Sequence, residues 1–161
     1  MEIKKANIVY RHATINDVQA LVDYRIRFLN ELLNHPENDD TEIVRKSLQE
    51  YFSAAIPFGD FIAWVAECNG RIIATAGMVV WKKPAIYGGA ESGKLGYLLN
   101  FYTIPEARRK GIATRLLNEL IKDAKSHELR YLHLHASKDG INIYRKAGFT
   151  EPHQPELELI L

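Results

Sequence analysis

The segment that most constrains this chain is residues 95–127, "LGYLLNFYTIPEARRKGIATRLLNELIKDAKSH". A continuous apolar run of strand length, 95–104, is stopped by Pro105, which cannot donate to a ladder. Ile112, Leu116, Leu117, Leu120, Ile121 and Ala124 then recur at helical spacing. A second strand-like run, 129–136, follows. Strand, helix, strand at this spacing is a crossover unit, which commits the chain to a sheet with at least one parallel pair and a helix on its face.

The junction of strand and helix carries a conflict. Arg108, Arg109 and Lys110 stand together just before the helix, where the partial positive charge of the macrodipole favours anions. The far end of the same helix obeys the rule, with Lys122, Lys125 and His127 near its C-terminus. An anion at the N-terminus resolves the conflict. Free backbone N–H groups point at it, the cations neutralise it, and Gly111 lets the backbone come close.

The remaining elements fall around this unit. Residues 7–13 read as a strand, and 14–33 as a helix through Val18, Leu21, Val22, Ile26, Leu29 and Leu33, capped by Thr14 or Asn16. A second helix spans 41–56 and is broken at "PFG". Two β-rich runs flank Asn69-Gly70, a hairpin signal. Residues 138–147 form a short helix, Gly148-Phe149 a return strand, and 155–161, "PELELIL", an alternating terminal strand. The order β-α-α-β-β-β-α-β-α-β-β, without linker or repeat, predicts one α/β (α+β mixed) domain over 1–161. Its central sheet is mixed, mostly antiparallel, and flanked by helices.

The anion loop is neither G-x-x-x-x-G-K-[ST] nor G-x-G-x-x-G. It reads Arg108-x-x-Gly111-x-Ala113, with "NFYTIP" before it and "SKDGINIYRKAGF" after it. These motifs resemble the GNAT family of acetyl-CoA-dependent N-acetyltransferases, in detail over roughly residues 94–150 and in element order throughout. The resemblance implies acetyl-CoA as cosubstrate, with its pyrophosphate held by Arg108, Arg109, Lys110, Gly111, Ile112, Ala113 and Thr114. It implies cofactor contacts from the strand at Phe101, Tyr102 and Thr103, and from Ser137, where many members carry Asn. It places Tyr144 as the acid that protonates the departing thiolate.

Acetyl transfer to an amine needs a neutral nucleophile, preorganised donors toward the carbonyl oxygen, and an acid for the sulfur. The resemblance assigns the donors to backbone N–H groups of 99–103, on a strand that parts from its neighbour. The strand glutamate that some members use as base is replaced by Tyr97. His133 and His135, Glu67, Glu91, or ordered water with backbone carbonyls are the alternatives.

A net charge of +1, from 21 basic and 20 acidic residues, offers no global field for nucleic acid. The single cysteine, Cys68, excludes an internal disulfide and any Cys-based metal spacing; no metal is expected. With no signal-like N-terminus and no apolar run of about 18 residues, a cytoplasmic protein without membrane association is expected. The resemblance implies a small-molecule or peptide amine as acceptor. The acids of the loop "NHPENDDTE" (Glu37, Asp39, Asp40, Glu42) either attract it or charge the start of the second helix. Rival readings are an acyl-CoA sensor without catalysis, and an enzyme that acetylates protein N-termini or lysines. Family members often pair as homodimers.

Overall fold

The computed structural model describes residues 3, 7–34, 39–85, 87 and 92–161. Its elements are β1 (Ile8–His12), α1 (Val18–Leu33), α2 (Asp39–Phe58), β2 (Phe61–Cys68), β3 (Arg71–Lys82), β4 (Lys94–Thr103), α3 (Ile112–Ser126), β5 (Leu132–His133) and α4 (Ile141–Lys146). The strands form one sheet in the order β1-β2-β3-β4-β5. The first three pairings are antiparallel and β4–β5 is parallel. This is the expected mixed sheet, and α3 is the crossover between its parallel strands.

Local chemistry explains the boundaries. Thr14 Oγ1 accepts the Asn16 N–H while the Asp17 carboxylate accepts the Thr14 N–H at 2.8 Å, a reciprocal cap on the 3₁₀ turn Ile15–Asp17 that leads into α1. Asn69 and Gly70 both take positive φ, 52° and 74°, as the tight turn between β2 and β3 demands. Pro57 lies inside the last turn of α2, so that helix ends two residues later than the proline suggested.

Both faces of the sheet are covered, so its strands read as apolar runs rather than as alternation. On one face α3 buries Leu116, Leu117 and Leu120 completely against Ala74, Ala76, Met78 and Leu98. On the other, α1 and α2 enclose Leu21, Val22, Ile26, Phe52 and Phe61. Each such leucine or phenylalanine contributes about 1.5–3 kcal/mol by leaving water.

The sequence expectation fails at the C-terminus. Neither Gly148-Phe149 nor 155–161 forms a strand, and Leu157, Leu159, Ile160 and Leu161 are exposed. Alternation makes a residue series suited to a strand, but a strand also needs a neighbouring edge. The run expected over 129–136 pairs with β4 at only two positions. Among the described residues no helix is long and apolar enough to cross a membrane.

Candidate active site

β4 carries the site because its two edges behave differently. On one side it pairs with β3 along most of its length. On the other, β5 pairs only at Gly96↔Leu132 and Tyr97↔His133. From Leu98 onward that edge has no strand partner among the described residues, so the sheet opens between β4 and β5. A register shift against β3 falls at the same place. Asn100 takes φ 60° there, and its carbonyl accepts the Thr75 hydroxyl at 3.0 Å. Its side-chain Oδ1 is buried without a hydrogen-bond partner. The bulge re-aims Phe101, Tyr102 and Thr103 relative to the first half of the strand.

After β4, a short 3₁₀ turn, Pro105–Ala107, leads into the cationic loop. Gly111 is the N-cap of α3, with φ 82° and no side-chain cap. Arg109 is also left-handed, φ 59°. Arg115 N–H closes the bond to Gly111 O at 3.0 Å, so the amides of Ile112, Ala113 and Thr114 precede the helical ladder. A Cβ on Gly111 would meet no protein atom within 4 Å. Its glycine is therefore required by backbone angle, not by the protein's own packing. An uncapped, positively charged helix N-terminus beside open space fits a pyrophosphate.

Arg108 does something different from its neighbours. Its guanidinium donates to Thr103 O at 2.9 Å and to Glu31 at 2.7 Å, and it lies over the Tyr102 ring. Tyr102 donates to the other oxygen of Glu31, also at 2.7 Å. Burial and then Glu31 push the Tyr102 phenol up to about 12. Arg108 and the Tyr102 side chain thus tie β4 and the loop to α1. Glu31 was not singled out from sequence. Arg109 and Lys110 make no hydrogen bond or ion pair among the described residues, and they remain the cations available to an anion.

The segment after β5 supplies the second wall. Ser137 Oγ accepts the Gly140 N–H at 3.2 Å, opening the turn into α4, while its own proton stays free to donate. Tyr144, on α4, meets Phe101 and Phe149 edge-on at 5.6 and 5.9 Å. Burial pushes its phenol up to about 12. A cavity of about 290 Å³ between α3 and α4 is lined by Thr114, Asn118, Asn142, Ile143, Lys146 and Ala147. Of these only Thr114 was anticipated, because polar helix residues carry no signal until two helices face each other.

The opposite face of the opening holds the candidate bases. Tyr97 pairs with Val79, whose side chain packs on the α1–α2 cluster, so Tyr97 faces that side. Its hydroxyl is hydrogen-bonded to His135 Nδ1, and His135 Nε2 stands 3.4 Å from Glu156. Trp81 stacks on the Tyr97 ring at 4.8 Å. His133 instead stacks with Tyr131. Glu67 is held by Arg11 on the far edge of the sheet, which removes it from consideration. Glu91 and Glu37 lie outside the described residues. Among the described residues no group of three or more His, Cys, Asp or Glu is placed to hold a metal.

The comparisons agree with this architecture. The chain matches the acetyltransferase (GNAT) family over residues 26–149. It is 35% identical to a predicted acetyltransferase from Clostridium acetobutylicum solved with acetyl-CoA. That match covers 95% of this chain and 96% of the other, with a TM-score of 0.86. A GCN5-related N-acetyltransferase from Ralstonia eutropha JMP134 superposes with a TM-score of 0.83 at 21% identity, over 94% and 98% of the two chains. Glucosamine-6-phosphate N-acetyltransferase from Arabidopsis thaliana gives 0.66 at 19% identity, over 94% and 97%. No curated protein matches significantly in sequence. By the family match and the 35% identical relative together, the chain belongs to the GNAT acetyltransferases.

Proposed function

We propose that this protein moves the acetyl group of acetyl-CoA directly onto a primary amine of a small molecule or peptide. The observation that carries the reading is the uncapped start of α3, with Gly111 at φ 82° and open space before it, next to the opening between β4 and β5. The amides of 109–114, with Arg109 and Lys110, hold the pyrophosphate. Ser137 donates to the pantetheine arm. Acetyl-CoA supplies an activated thioester, and the unpartnered edge of β4 at Phe101–Thr103 presents N–H donors to its carbonyl oxygen.

The two faces of the opening divide the proton work. The C–N bond forms as the C–S bond breaks. On the α1–α2 side the ammonium gives up one proton to Tyr97, which passes its own to His135 Nδ1, and the neutral amine attacks; the nitrogen's second proton, acidic once the C–N bond has formed, leaves to solvent. We assign His135 the tautomer with Nε2–H toward Glu156, since it satisfies both partners. This pair takes the place of the missing strand glutamate and argues against a non-catalytic acyl-CoA sensor. On the other side Tyr144 donates its proton to the departing sulfur and is reprotonated by solvent. Its phenol, held near 12 by burial, stays protonated across the working range. The buried Cys68 suits a reducing compartment, and the cytoplasm is the one we assign.

Tyr144→Phe tests the reading, because it keeps the ring contacts with Phe101 and Phe149 and removes only the hydroxyl. We expect kcat to fall by about 10²-fold or more with CoA affinity and Tm nearly unchanged. A variant that keeps its full kcat removes Tyr144 from the mechanism.

A further inference from the structure

Both carboxylates of α1 are paired, and Arg27, which meets none among the described residues, is exposed over the Tyr24 ring. Asp23 is held by Arg45, Glu31 by Arg108 and Tyr102, and Asp17 by Arg11. Arg25 is different. It is partly buried, and among the described residues its guanidinium meets no carboxylate. It lies over the Phe28 ring at 5.7 Å and within electrostatic range of Tyr97. Burial without a counter-charge pulls its pKa down, yet a guanidinium stays charged in proteins. Withdrawing a cation from water without an anion is costly. The ring of Phe28 returns only part of that cost.

The position of Arg25 tells what the missing anion is. α1 covers the face of the sheet to which Tyr97 points, and Arg25 lies within electrostatic range of that residue; in the reading above the acceptor amine reaches the thioester from this side. Tyr97 is backed by the stacked Trp81, which is 38% exposed. Together they form an aromatic wall beside an unpaired, planar, two-pronged donor. Guanidinium geometry matches a carboxylate with two parallel hydrogen bonds. We propose that the acceptor is an amine that also carries a carboxylate and an apolar body, with Arg25 binding the carboxylate and the Trp81–Tyr97 wall the apolar part. This inference rests on the acetyltransferase reading and names the substrate class of the same site.

Product analogues test it without requiring turnover. CoA is titrated first, so that a failure to bind CoA counts against the acetyltransferase reading itself. The CoA-loaded protein is then titrated by calorimetry with the N-acetyl derivatives of leucine, methionine, phenylalanine and tryptophan. Each is compared with the neutral N-acetyl amine lacking the carboxylate. We expect at least one acid to bind tenfold or more tightly than its neutral counterpart. Arg25→Gln should erase that difference, and Arg25→Lys should restore part of it, with CoA affinity unchanged in both. Should every acid bind no better than its neutral counterpart, or should Arg25→Gln preserve the discrimination, the proposal is overturned. If Arg25→Gln lowers Tm but leaves discrimination intact, Arg25 serves packing on Phe28 alone. Acid-selective binding without acetyl transfer would leave Arg25 in its role and overturn the catalytic reading instead.

Discussion

Gly111→Ala separates what the loop costs the fold from what it does for a ligand. At φ 82° an alanine is forced into the left-handed region, which costs about 1–2 kcal/mol. No protein atom lies within 4 Å of the new Cβ, so no clash adds to this. For a 161-residue chain the loss lowers Tm by about 2–8 °C. Gly59 provides the control, since it has φ 74° and equally empty surroundings at the end of α2. Gly59→Ala should show the same fall in Tm. The two variants should differ in CoA binding. A methyl at 111 occupies the space through which a phosphate approaches the amides. Loss of one hydrogen bond to a charged group, about 1.5–3 kcal/mol, weakens CoA by about ten- to a hundredfold. Calorimetric titration of CoA, run well below both melting transitions, reads this directly. If Gly111→Ala and Gly59→Ala bind CoA equally well, the pyrophosphate is not on this loop.

The other expectations are narrower. CoA affinity should fall as salt rises, and replacing Arg109 and Lys110 together by Ala should flatten that slope. An unchanged slope returns both side chains to solvent. His135→Asn should lower kcat/KM most at neutral pH. The gap to wild type should close as pH approaches about 10, where an alkyl amine loses its own proton. A pH-independent deficit would assign His135 to structure rather than to proton transfer.

The crossover unit was legible in the sequence because it rests on local signals: a run ended by Pro105, an apolar helical stripe, a charge conflict at Gly111. The hairpin was legible for the same reason, since Asn69-Gly70 writes its backbone angles into residue identity. What escaped depends on contacts between distant segments. Arg108 reads as a ligand-facing cation until Glu31, 77 positions away, claims it. The sequence does not say that the Tyr97 hydroxyl meets His135, 38 positions away. The alternation of "PELELIL" predicts a strand, but sequence does not say whether an edge lies beside it. The bulge at Asn100 gives no compositional warning, yet it lies beside the opening in the sheet.

The central claim is that acetyl moves from sulfur to nitrogen at the opening between β4 and β5. Acetyl-CoA labelled with ¹³C at the acetyl carbonyl, incubated with the protein and a panel of amines and amino acids, tests it by NMR. The account predicts that the thioester resonance gives way to an amide resonance with at least one acceptor. One CoA thiol should be released for each amide formed, and the rate should collapse in Tyr144→Phe. A thioester signal that persists with every acceptor, while the protein binds acetyl-CoA tightly, would contradict it.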